Sequence, residues 1–139
     1  MPRTSAFRFE DHHVIIRRDG AADVLSHELP GMTRRTGDIV AWDPETDGII
    51  GGIGTMDQSS DHGGERHLDG DELLFVTTGR LRLVLELEDG QREETVIGAG
   101  EAVFVPRGLW HHLEVDEPGT LMFMGGGRTE IRVGGLVGD

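Results

Sequence analysis

The stretch RLRLVLELEDG, residues 80–90, decides the fold class. Leu81, Leu83, Leu85 and Leu87 fall on one side of an extended chain, and Arg80, Arg82, Val84, Glu86 and Glu88 fall on the other. Successive strand residues point to opposite faces, so this period of two describes a half-buried β-strand. Asp89-Gly90 then offers the positive φ that a tight hairpin demands and predicts a return strand over residues 91–97. Short apolar runs on either side are punctuated in the same way. Strands are expected over residues 38–42, 49–56, 72–77, 102–105, 110–115 and 120–124. Turns are expected at Asp43-Pro44, Asp47-Gly48, Gly79, Pro106-Arg107-Gly108 and Pro118-Gly119. Phe7-Arg8-Phe9 and Val14-Ile15-Ile16 read as extended segments at an edge or in a dimer arm. No segment shows capped helical periodicity. The expectation is an all-β sandwich or barrel forming one domain over residues 1–139.

Composition removes several chemistries. The chain has no Cys, Lys, Tyr or Asn, and its 13 basic side chains are all Arg. Thiolate nucleophiles, disulfides, Cys-ligated zinc and Schiff-base lysines are excluded. A net charge of −13 opposes nucleic-acid phosphates and anionic lipid, so neither nucleic acid nor membrane is an expected partner. No apolar run reaches the length of a membrane span, and Met1-Pro2-Arg3-Thr4-Ser5 carries no hydrophobic leader. The expected location is cytoplasmic. The four serines, Ser5, Ser26, Ser59 and Ser60, sit in no nucleophile elbow.

Two separated clusters carry the chemistry. In Glu65-Arg66-His67, Glu65 and His67 are two apart and share a strand face. Asp69-Gly70-Asp71 can reverse the chain and bring Glu72 beside His67. His111 lies on a later strand, after Gly100, Pro106 and Gly108. A closed barrel can direct all four side chains inward. Neutral imidazole and ionised carboxylate suit a divalent transition metal. Each residue also has an ordinary reading: Glu65 can pair with Arg66, Arg80 or Arg82, and His67 with Glu72 can be a hairpin polar pair. His112 faces away from His111, while His12, His13 and His27 read as surface or dimer-contact histidines. The aromatic residues Trp42, Phe75, Phe104, Trp110 and Phe123, with Met56, Met122 and Met124, read as core or pocket lining.

On these residues the chain resembles a small single-domain cupin. The family's first motif, Gly-x5-His-x-His-x4-Glu-x6-Gly, is matched by Glu65, His67, Glu72 and Gly79. Its second, Gly-x5-Pro-x-Gly-x2-His-x3-Asn, is matched by Gly100, Pro106, Gly108 and His111. The resemblance covers residues 50–125 and implies a double-stranded β-helix, the jelly-roll barrel. Ser59 stands at the first motif's leading Gly, which is expected only to loosen a turn. Val115 stands at the second motif's Asn, and Glu65 replaces the first His. The implied metal ligands are His67, Glu72 and His111, with Glu65 as the fourth and His62 ranked behind it. The implied ion is Fe(II), with Mn, Ni, Co or Zn as alternatives, and Glu65 would favour harder ions such as Mn(II).

The resemblance implies a metal-dependent enzyme on a small organic molecule, with a dioxygenase-like oxidoreductase preferred. A metal-dependent decarboxylase or isomerase is one alternative, and a non-catalytic, even metal-free, ligand-binding cupin is another. Arg66, Arg80, Arg82 or Arg107 would orient an anionic substrate. A homodimer is also implied, with its contact in residues 1–40.

Overall fold

A computed structural model describes residues 5–26, 34–43, 47–60, 63–125 and 127–133. Its strands are β1 (His12–Arg17), β2 (Ala22–Ser26), β3 (Arg34–Thr36), β4 (Ile39–Trp42), β5 (Gly48–Met56), β6 (Glu65–His67), β7 (Glu72–Glu86), β8 (Arg92–Gly98), β9 (Ala102–Val105), β10 (His111–Gly125) and β11 (Thr129–Arg132). The fold is all-β, as the alternation of residues 80–88 requires, and every pairing is antiparallel. No helix among the described residues is long and apolar enough to cross a membrane.

The strands form one curled sheet with two wings. The first wing runs β2-β1-β5, then the second half of β10, the first half of β7, and β9. The second runs β8, the second half of β7, the first half of β10, then β6-β11-β4-β3. The core lies between the wings and contains Met56, Leu74, Val76, Leu81, Leu83, Leu85, Ile97, Val105 and Leu121. Leu81 and Leu83 have no exposed surface. Val84, on the opposite face of the same strand, is also buried, so the strand is less one-sided than its alternation implies.

Gly79 and Pro118-Gly119 do not end strands as expected; they bend them. Strands β7 and β10 each continue through the bend, and their register shifts between Val115 and Leu121. Gly79 holds φ at +87°, and a side chain there would come 2.6 Å from the Glu117 carbonyl oxygen. A Cβ on Gly119 would lie 2.0 Å from the Thr78 carbonyl oxygen. The two bent strands therefore touch backbone to backbone, which only glycine permits. The Asp89-Gly90 hairpin is where the sequence places it, with Gly90 donating to the Leu87 carbonyl at 2.9 Å.

The outer face of the first wing is apolar. Ile16 pairs with Ile49 and Val14 with Val24, and Leu73 lies between Met124 and Phe104. Phe104 is 66% exposed, so it lines neither core nor pocket, contrary to expectation. Phe75, Met122 and Met124 share this outer face by alternation with buried Leu74, Val76 and Leu121. Residues Val14-Ile15-Ile16 are strand β1, whereas Phe7-Arg8-Phe9 precedes it outside any strand.

Substituting alanine at Gly119 is expected to destabilise the fold by about 2–4 kcal/mol, because backbone must move. Alanine at Gly90, with φ +84° but nothing within 4 Å, is expected to cost only about 1–2 kcal/mol. Chemical denaturation of the two variants measures the difference; equal losses would contradict the bend.

Candidate metal centre

Local structure explains how the four residues meet. Strand β6 places Glu65 and His67 on its inward face, where they oppose Ile131 and Thr129 of β11. The Asp69–Asp71 turn leads directly into Glu72, the first residue of β7. His111, the first residue of β10, is paired with Glu65 on one side and Leu85 on the other. The Pro106-Arg107-Gly108 turn is tied to the same place, since Gly108 donates its N–H to the His67 carbonyl at 2.8 Å. Gly108 holds φ at +82°, so the motif's glycine is a geometric need of the turn that delivers His111.

One ligand atom from each of Glu65, His67, Glu72 and His111 lies within 4.8 Å of the others. His67 Nε2 is 3.2 Å from Glu72 Oε2 and 3.9 Å from Glu65 Oε1. His111 Nε2 is 3.4 Å from Glu65 Oε1 and 4.0 Å from Glu72 Oε1. His67, Glu72 and His111 are 7%, 8% and 2% exposed.

The outer ring nitrogens fix the tautomers. His111 Nδ1 lies 3.1 Å from the Leu109 carbonyl, which can only accept, so Nδ1 carries the proton. His67 Nδ1 lies 2.9 Å from Thr129 Oγ1, whose single hydrogen is donated to the Gly127 carbonyl at 3.0 Å. That hydroxyl must therefore accept from His67 Nδ1–H. In the neutral rings both Nε2 atoms are therefore acceptors, buried and turned toward the carboxylates. Two carboxylates 4.8 Å apart or less repel by roughly 3 kcal/mol at an effective dielectric of ~20. With neutral rings, two imidazole nitrogens and two carboxylates converge as acceptors, a conflict that a proton on His67 or a bound cation relieves; the donor set fits a divalent transition metal.

The electrostatics of His67 express the same demand. Burial disfavours its charge, but a hydrogen bond to Glu72 and the charges of Glu72 and Glu65 outweigh burial and raise its pKa above 6.5. That hydrogen bond exists only when Nε2 takes a second proton, so a proton competes with a metal for this position.

Sequence reasoning missed Thr129, which no motif marks. It is buried and held by a clamp: Arg128 pairs with Asp69 Oδ1 at 2.7 Å, and its backbone N–H donates to Asp69 Oδ2 at 2.7 Å. The Arg128 hydrogen bond keeps the Asp69 carboxyl below its usual range. Ser59 does more than loosen a turn, since its Oγ accepts from the Val115 N–H at 2.9 Å. The two positions that depart from the motifs at Gly and Asn are thus bonded to each other. His62 and His27 lie outside the described residues. His13 turns inward against the Phe123 ring at 5.4 Å. Trp110 points away from His111, toward Arg66 and Arg132, whose guanidinium carbons lie 4.7 and 4.1 Å from its ring centre.

None of the four arginines expected to orient a substrate lines the site. Arg66, on the outward face of β6, pairs with Glu130 at 2.6 Å. Arg80 pairs with Glu117, and Arg82 with Glu94, Glu114 and Asp116. Arg107 is exposed. Glu65, Glu72, Leu74, Leu113, Leu121 and Phe123 instead line an open pocket of about 240 Å³ between the wings.

Residues 53–134 match the family described as the cupin domain. The chain is a cupin. Among solved structures, this cupin is similar to oxalate decarboxylase from Bacillus subtilis, at 20% identity over 64% of this chain and 25% of the other, with TM-score 0.49. A variant of that enzyme gives 19% identity over 72% and 28%, with TM-score 0.51. A protein from Neisseria meningitidis gives 15% identity over 67% and 87%, with TM-score 0.46. The cupin thus spans about a quarter of the decarboxylase chain, and the likeness is one of fold. No curated protein matches the sequence.

Thr129→Val removes the acceptor that orients His67 and is expected to weaken metal affinity about 10–100-fold, measured by competition with a chelating dye. Metal affinity is also expected to fall about tenfold per pH unit below the raised pKa of His67, as the proton displaces the ion. The protonated His67 stabilises the metal-free fold fully below pH 6.5, and that contribution is lost as pH rises through the raised value. Metal affinity independent of pH across that window would contradict the assignment.

Proposed function

We propose that this cupin is a metal-dependent enzyme acting on a small organic molecule, with Glu65, His67, Glu72 and His111 holding the ion. The observation that supports the reading is the convergence of two buried imidazole Nε2 atoms and two carboxylates within 4.8 Å of one another. Fe(II) is the favoured ion and dioxygenase-like oxidation the favoured reaction. When bound, the ion would supply Lewis acidity and open positions for O₂ and substrate. The protein's own contribution is positional. Thr129 and the Leu109 carbonyl hold the two imidazoles in the ligating tautomer. Leu74, Leu113, Leu121 and Phe123 make the wall of the pocket beside the ligands apolar. Glu65 is the most exposed of the four and forms the solvent-side edge of the set.

A second reading follows from Glu65. A second carboxylate ligand favours a harder ion, and Mn(II) would direct the site to decarboxylation or isomerisation. We further propose a homodimer formed through the apolar outer face of the first wing, because Phe104, Ile49, Ile16 and Val24 lie exposed there in one patch. A two-fold pairing of sheets would bring the same patch of each copy together.

Protein purified without chelator is expected to contain about one transition-metal ion per chain, with His111→Ala losing it. Oxygen uptake in a substrate screen supports oxidation, and turnover without uptake favours the Mn(II) reading. Folded protein that holds no metal and ignores added Fe(II) would leave only the non-catalytic ligand-binding function. Phe104→Glu is expected to yield monomers by analytical ultracentrifugation; a wild-type monomer would refute the dimer.

A further inference from the structure

We infer that the site takes a small apolar monoanion: one metal-binding donor group on an uncharged hydrocarbon body, and not a dianion. This rests on the metal reading above and extends it to the substrate. Charge is the first consideration. Two glutamates balance the charge of a divalent ion, so the loaded site is close to neutral and holds one anionic donor by direct coordination to the ion rather than by surplus charge. A second anionic group would find no counter-charge. The cavity walls beyond the four candidate ligands are Leu74, Leu113, Leu121 and Phe123. Among the described residues, the arginines nearest in sequence to the ligands are committed to the outside. Arg66 is bonded to Glu130, Arg128 to Asp69, and Arg132 to Glu86 at 2.7 Å.

A carboxylate pressed against such walls loses its water without gaining a partner, and it also meets the fields of Glu65 and Glu72. An aliphatic or aromatic body buries apolar surface at the same place. Size is the second consideration. A pocket of about 240 Å³ is on the scale of a small organic acid rather than a single water or a sugar chain. That corresponds to a six-carbon monocarboxylate or a small aromatic acid. The Phe123 ring is braced from behind by His13, with ring centres 5.4 Å apart, so this wall is fixed before the ligand arrives.

A matched pair of probes tests the inference on the full chain loaded with Co(II), whose visible spectrum reports ligation. Hexanoate and adipate have the same length and differ only in a terminal methyl or carboxylate. Hexanoate is expected to shift the Co(II) bands and to bind at least tenfold tighter than adipate or acetate. Leu113→Ala is expected to lower hexanoate affinity about tenfold and bring it close to that of acetate. Phe123→Leu, which keeps the wall apolar, is the second variant if Leu113→Ala fails to fold, and it should lower hexanoate affinity while hexanoate stays ahead of adipate. Adipate binding as tightly as hexanoate, or hexanoate no better than acetate, would overturn the substrate class while the Co(II) spectrum leaves the metal centre standing. A chain that takes up no Co(II) would overturn the metal centre itself.

Discussion

Two buried imidazole Nε2 atoms and two carboxylates converge in this protein within 4.8 Å of one another, and the rest of the site is arranged around that convergence. Imidazole normally relieves such a conflict by moving its proton to the crowded nitrogen. Here the Leu109 carbonyl and the Thr129 hydroxyl hold the protons on the far side of both rings. Glu65 and Glu72 add negative charge where burial already makes charge costly. Such an arrangement is relieved either by a proton on His67 or by a bound cation, and the two compete for the same nitrogen.

That convergence depends on the bent strands. Glu72 begins β7 and His111 begins β10, and each strand serves both wings. Gly79 and Gly119 let the two backbones come into close contact at the bend, where both strands pass from one wing to the other. On the outside, the arginines meet the protein's many carboxylates as exposed or half-exposed pairs, each of modest energetic value. Their consequence is spatial: positive charge is kept on the surface, and the cavity is lined by leucine and phenylalanine beside two glutamates.

The site was legible in the sequence because turns fix its geometry and turns have narrow residue requirements. Gly108 and Pro106 mark the turn that delivers His111, and the two-residue spacing of Glu65 and His67 marks a shared strand face. The hairpin at Asp89-Gly90 was legible for the same reason. Face assignment was harder. In residues 72–77 both faces are apolar, since Leu74 and Val76 enter the core while Leu73 and Phe75 cover the outside of the first wing. Alternation cannot tell inside from outside there, and Phe104 was misplaced accordingly. Gly79 and Gly119 read as strand ends because glycine weakens a strand in isolation; only the crossing backbone makes glycine compulsory within one. Thr129 had no local signal at all, since its role exists only through the pairing of β11 with β6.

The central claim is that these side chains share one ion. A crystal structure of the chain loaded with Fe(II) or Co(II), with data collected at the metal's absorption edge, tests it most directly. The account predicts a single strong anomalous peak roughly 2.0–2.2 Å from both His67 Nε2 and His111 Nε2, with Glu72 and Glu65 completing the contact. An anomalous peak elsewhere, or none between the two histidines of a loaded and folded protein, would contradict it.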